Sequence, residues 1–113
     1  MSLSPIEYVR HMLVETEYVI RVTRHTSRAA LEADETLRRA VVRSLEVIGE
    51  ATKRIPLPIR EANAEIDWSA IAGMRDKLIH DYIGIDYDIV FDVVTTKLPT
   101  LREVLARMLR DLA

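Results

Sequence analysis

The chain has 113 residues, no cysteine, a formal net charge of -2, and 49% apolar against 30% charged side chains. This excludes a disulfide framework, a thiolate metal site and a disordered chain, and no global basic field announces nucleic acid. No apolar run approaches the ~18 residues of a membrane span, and Met-Ser-Leu-Ser-Pro is no signal peptide, so one cytoplasmic domain over residues 1–113 is expected, with no membrane association.

Leu, Ala, Arg and Glu dominate, strand-type alternation is weak, and the fold class is read as all-α. Ser4 as N-cap and Pro5 in the first helical position predict a first helix from Pro5 to about Ser27. A second is expected from Leu31 to Arg54, because Leu37, Val41, Leu45 and Ile48 form one apolar stripe. Pro56 and Pro58 stop it and open an irregular segment, since proline lacks the N–H donor and its ring clashes with the preceding turn. Asp67 caps a short turn, Trp68–Ala72. A third helix is expected over Gly73–Tyr82, with Gly84 as its C-terminal cap. Asp86 caps a fourth, which runs through Val90, Val94, Leu98, Leu101, Leu105 and Leu109 and kinks at Pro99. Four helices with short connections predict an up-and-down antiparallel four-helix bundle with a short extra helical turn.

The third helix carries the densest chemistry, "GMRDKLIHDY", residues 73–82. In a helix Asp76 and His80 share a face, so the carboxylate can orient the imidazole and favour its protonated form. Arg75 and Tyr82 are two turns apart and also share a face. Arg75 and His80 point ~140° apart, so a site using both needs Arg75 to curl round, the helix to unwind near Gly84, or a second subunit; the first and third remedies are favoured. A guanidinium grips phosphate through paired donors, and a near-neutral histidine can take a proton from a 2'-hydroxyl or give one to a leaving oxygen. Arg plus His is a minimal kit for RNA cleavage without a metal or other cofactor, through 2'-OH attack and a cyclic phosphate product.

At these residues the sequence resembles the HepT-like branch of the HEPN superfamily. Arg75, His80 and Tyr82 fall on its Arg-x4-His-x-Tyr motif, and Asp76 is the polar residue that commonly follows the motif arginine. "LEVIGEATKRI", "IDWSAIAGMRDKLIHDYIGID" and "LPTLREVL" resemble the second helix, the motif helix with its tryptophan turn, and the last helix. The resemblance implies a homodimer whose motif helices meet in a cleft, and a metal-independent ribonuclease acting as the toxin of a bacterial toxin–antitoxin pair. It implies catalytic roles for Arg75 and His80, which Asp76 supports by the spacing above, and Tyr82 as acceptor of AMP from an MntA-like nucleotidyltransferase antitoxin. Each AMP would add about one negative charge and a base beside Arg75, silencing it.

Lys53, Arg54 and Lys77 are candidate RNA contacts, and Arg38, Arg39 and Arg43 add charge to the second helix. Solubilising charge is the competing reading for that helix. DNA is not an expected partner. Glu50 is placed near the cleft, to bind a cation or hold Arg75. His11 and Glu15 have metal-ligand spacing but make only two ligands, so no metal site is assigned. His25 is read as interacting with a helix dipole, and Trp68, Tyr87 and Phe91 as packing residues rather than base-stacking ones. A non-catalytic helical dimer that regulates a nucleotidyltransferase is the competing function.

Overall fold

Helix α1 (Pro5–Val22) starts where the sequence places it. The Ser4 hydroxyl accepts from the Glu7 N–H and the Ser4 N–H donates to the Glu7 carboxylate at 2.7 Å, a reciprocal capping box. The computed structural model describes residues 3–74, 76, 79–81 and 84–113, the side chains of 79–81 excepted. Helix α1 ends before the expected Ser27. The Thr23 hydroxyl donates to the Val19 carbonyl at 2.6 Å, and His25 turns the chain with a left-handed φ of 65°. His25 thus makes the turn after the helix.

The expected second helix is two. Helix α2 (Arg28–Ala33) is capped by Ser27, and helix α3 (Glu35–Thr52) by Asp34, whose carboxylate accepts from the Leu37 N–H at 3.0 Å. Asp34 ends one helix and starts the next, because its short acceptor competes with the helical backbone. The irregular segment after α3 contains one turn of helix, α4 (Leu57–Glu61), with Pro58 in its first turn. Helix α5 (Trp68–Ala72) is capped by Asp67 as expected.

The third helix departs from expectation. Met74 and Asp76 are helical, but Ile79–Asp81 (β1) is extended and pairs antiparallel with Gly84–Ile85 (β2). Ile79 faces Ile85 in register. β-branched residues favour a pleated chain. Gly84 has no positive φ and is part of this pairing rather than a helix cap.

Asp86 then caps helix α6 (Tyr87–Asp92), accepting from the N–H groups of Asp88 and Ile89. A π turn, Val93–Lys97, joins α6 to helix α7 (Leu98–Leu112). The disturbance expected as a kink at Pro99 lies one turn earlier, because the ring of a helical proline collides with the carbonyl four residues back. The hydroxyls of Thr95 and Thr96 donate to the carbonyls of Phe91 and Asp92 through this region.

The chain is mostly helical. Helix α1 packs along both α3 and α7. Val9, Met12 and Val19 interlock there with Val41, Leu45 and Ile48 of α3 and Leu98, Leu101 and Leu105 of α7, all fully buried. Burial of one such side chain contributes about 1.5–3 kcal/mol. Helix α2 inserts Leu31 into the same core and touches α6. At its start Arg28 bridges Glu32 and the Asp88 carboxylate. No described helix is long and apolar enough to cross a membrane.

Candidate functional site

Helix α5 leads into the motif segment, and three contacts hold it. The Trp68 indole N–H donates to the Asn63 carbonyl at 2.9 Å, the Asn63 amide donates to the Ile59 carbonyl at 2.8 Å, and Arg107 of α7 donates to the Asn63 side-chain oxygen at 3.0 Å. Arg107 also pairs with Glu65. Trp68 is 7% exposed, and Tyr87 and Phe91 pack against the core, so the packing reading of all three aromatics holds. Gly73 closes α5, donating to the Ser69 carbonyl at 2.9 Å. A Cβ there would sit 3.3 Å from that same oxygen, which favours glycine at the junction. The Asp76 N–H then returns to the Gly73 carbonyl at 3.1 Å.

The placement of Arg75, Lys77 and Tyr82, and the side chain of His80, lie outside the described residues. The backbone of His80 is central in β1, inside the step where the register slips: Ile79 opposes Ile85, but Asp81 opposes Gly84. An extended backbone at His80 does not follow helical periodicity. It removes the basis of the helical-face geometry. Asp76 is exposed and helical, but the backbone has left the helix before His80, so four-residue helical spacing no longer links them.

The other candidates fall around the end of α3. Lys53 caps that helix and pairs with Glu50 at 3.3 Å, while Arg54 is exposed. Arg54 lines a cleft of about 370 Å³ between α1 and α3, with Tyr8, His11, Arg43 and Glu50. Arg43 reaches Glu46 only at 3.8 Å. Arg39 pairs with Glu35 within the helix, as the solubilising reading of that charge anticipates. Neither Tyr8 nor the convergence of α1 with Arg43 was legible beforehand, because the Leu37–Ile48 stripe fixes the buried face of α3 but not its neighbour. Among the described residues no three His, Cys, Asp or Glu side chains gather as a metal site.

A second cavity, about 400 Å³, opens between α5 and the π turn. Ile66, Ile71, Met74 and Leu101 form its nearly buried floor, and Asp67, Asp92 and Lys97 stand at its edge. The sequence held one signal for it: Pro99 inside an otherwise helical stretch.

A helical scaffold carrying Arg-x4-His-x-Tyr after a tryptophan turn defines a HEPN-type protein. The chain belongs to the HepT-like ribonuclease family, whose model, "Ribonuclease HepT-like", matches residues 12–108. The protein named "Putative RNase TTE0752" of Caldanaerobacter subterraneus subsp. tengcongensis is 40% identical over 95% of this chain and 96% of its own. "Probable ribonuclease HepT" of Thermococcus cleftensis is 35% identical over 90% of this chain and 93% of its own. No solved structure matches.

Proposed function

We propose that this chain is a metal-independent endoribonuclease, the toxin of a bacterial toxin–antitoxin pair, acting in the cytoplasm as a homodimer. The observation that carries the reading is Arg75-x4-His80-x-Tyr82 in a chain of a ribonuclease family. In this mechanism Arg75 holds a nonbridging oxygen of the scissile phosphate through its fork of donors. His80 takes the proton of the neighbouring 2'-hydroxyl as that oxygen attacks phosphorus. The P–O5' bond breaks, the leaving oxygen takes up a proton, and a 2',3'-cyclic phosphate remains. Asp76 supports the motif from its exposed position in the preceding turn. Lys53, Arg54 and Lys77 contact the RNA backbone, Lys53 after release from Glu50.

The proposed scaffold is the family's up-and-down four-helix bundle in a single domain, with the motif segments of two copies meeting in one cleft. An MntA-like nucleotidyltransferase antitoxin silences the enzyme by transferring AMP to the Tyr82 hydroxyl. The bond formed joins the tyrosine oxygen to the α-phosphorus of ATP, and pyrophosphate leaves. The added charge faces Arg75 and competes with substrate phosphate.

The test is cleavage of RNA in EDTA by the purified protein beside Arg75→Ala and His80→Ala. Wild-type cleavage ending in cyclic phosphate, lost by at least about 10²-fold in both variants, is expected. Equal cleavage by all three sinks the assignment. Incubation with the nucleotidyltransferase and ATP should raise the mass by whole AMP units on Tyr82; modification at Tyr8, Tyr18 or Tyr87 instead rejects the proposed switch.

A further inference from the structure

Helices α1 and α3 present one outer face together, and it carries exposed apolar surface. Val14, 61% exposed, and Leu3, 42% exposed, both stand on it. Two hollows run along the seam between the helices. The α1–α3 cleft described above joins Tyr8 and His11 to Glu46 and Arg54. A second hollow, about 430 Å³, joins Val14, Glu15 and Tyr18 to Ala40, Arg43 and Ser44. Early α1 thus lies beside late α3 and the reverse, so the two helices run antiparallel. Ala40 and Ser44 are small and leave a recess at the height of Val14. Val14 points outwards and does not fill the recess of its own chain, but the Val14 of a second copy could.

The charges on this face decide what covers it. Along α1 they run Glu7, Arg10, Glu15. Along α3 and its C-terminal turn, read backwards to match the antiparallel course, they run Arg54, Glu50 with Glu46, then Arg43. The signs are minus, plus, minus against plus, minus, plus. Arg10, Glu15 and Arg54 form no ion pair among the described residues. A second copy can meet this face about a two-fold axis in two ways. An axis across the helices lays each helix on its own counterpart, reversed. Glu7 then meets Glu15 and Arg43 meets Arg54, like charges that repel. An axis along the helices lays α1 on α3 of the second copy at equal height. Glu15 then meets Arg43, Arg10 meets Glu46 and Glu50, and Glu7 comes within a turn of Arg54. Each of these contacts is attractive and occurs twice by symmetry. The other arginines of the face are already engaged: Arg21 lies 5.5 Å over the Tyr18 ring, and Arg39 pairs with Glu35. Exposed ion pairs add little affinity but reject wrong registers, so burial of Val14 and Leu3 supplies the attraction.

We propose that α1 and α3 form the surface on which two copies pair, about a two-fold axis along the helices, with Val14 of each copy seated in the Ala40–Ser44 recess of the other. The inference rests on the homodimer reading above and assigns it a face and an orientation. This orientation brings the C-termini of both α3 helices, each followed by Lys53 and Arg54, to the same end of the pair. An axis across the helices would send them to opposite ends. Cations gathered at one end suit a single RNA backbone.

The test is sedimentation equilibrium of the full-length protein, with the fold of each variant checked by circular dichroism. A wild-type dimer is expected. Val14→Asp, Glu15→Arg and Arg43→Glu should each weaken it by at least about tenfold. None of these side chains is buried, so the variants keep the core. An equimolar mixture of the Glu15→Arg and Arg43→Glu proteins should dimerise again, because each then meets its opposite charge across the interface. The chain has no cysteine, so introduced thiols report geometry. Glu15→Cys mixed with Arg43→Cys should form a disulfide-linked pair, whereas His11→Cys, midway between Glu7 and Glu15, should not link to itself. A linked His11→Cys pair marks the axis across the helices and overturns the proposal. A dimer that ignores all the single charge and valine substitutions overturns it too, and moves the homodimer to another face. A wild-type monomer overturns both. No readout here involves cleavage, so the ribonuclease assignment stands or falls on its own assay.

Discussion

The backbone N–H of Leu98 donates to the carbonyl of Val93, five residues back rather than four. Its neighbour Pro99 has no N–H to give to Thr95, and an α-helical path would drive its ring into the Thr95 carbonyl. The wider turn relieves that collision. Pro99→Ala restores the donor and removes the ring, and the turn should tighten. The expected result is a gain of about 1–3 kcal/mol in unfolding free energy, read by urea denaturation. If stability is unchanged or lower, packing rather than the proline holds the π turn.

Thr16 is fully buried on α1, and its hydroxyl finds no hydrogen-bond partner among the described residues. Removing a hydroxyl from water without a partner is unfavourable, and valine has nearly the same shape. Thr16→Val should therefore stabilise the protein by about 1 kcal/mol. A destabilised variant would show that the hydroxyl is satisfied in solution.

Asn63 joins three parts of the fold through its side chain and carbonyl: α4 at Ile59, α5 at Trp68 and α7 at Arg107. Asn63→Ala keeps the carbonyl that receives the indole but loses both side-chain bonds. A loss of about 1–2 kcal/mol is expected. Trp68 is the chain's single tryptophan, so its fluorescence during denaturation reports the transition at this junction. No change in midpoint would mean that Arg107 and Ile59 find water equally well.

The helix starts were legible because each rests on a local signal: Ser4 with Pro5, Asp67 before Trp68, Asp86 before Tyr87. The break at Asp34 was missed although it uses the same chemistry. The stripe from Leu37 to Ile48 fixes a helix but not its first residue, and Asp34 caps it after the expected start at Leu31. The motif residues were legible as types and spacing, and these carry the family. The extended backbone at His80 was not, because pairing of Ile79 with Ile85 depends on residues six apart and competes with a helical pattern of equal local strength. The groove beside Met74 was illegible, since it needs α5 and the π turn brought together.

Glu7 holds a pKa below the ordinary carboxyl value, chiefly because the Ser4 backbone N–H donates to its carboxylate, with the Ser4 hydroxyl adding to the effect. A carboxyl whose pKa is lowered by folding stabilises the folded chain above its unfolded pKa, and that contribution fades as pH falls through the folded value. Glu7→Gln should thus be less stable than wild type at neutral pH, with the two converging as pH drops below the ordinary carboxyl range near ~4. Thermal melts across that window check the sign. A difference that stays constant with pH would assign the effect to packing instead.

Arg75→Lys separates charge from geometry at the proposed phosphate grip. Lysine keeps one positive charge but offers a point ammonium in place of a planar fork. If Arg75 serves only to attract RNA, the lysine variant should keep kcat and show at most a change in KM. If it braces the phosphorane-like transition state through two donors, kcat should fall by on the order of 10²-fold with KM nearly unchanged, because the lost contacts form mainly as charge develops. Single-turnover cleavage of a short RNA under EDTA measures both constants. The second outcome is expected, with Arg75→Ala lower still, since it loses the charge as well as the fork. Equal kcat for Arg75 and Arg75→Lys would move the arginine from the chemical step to substrate binding.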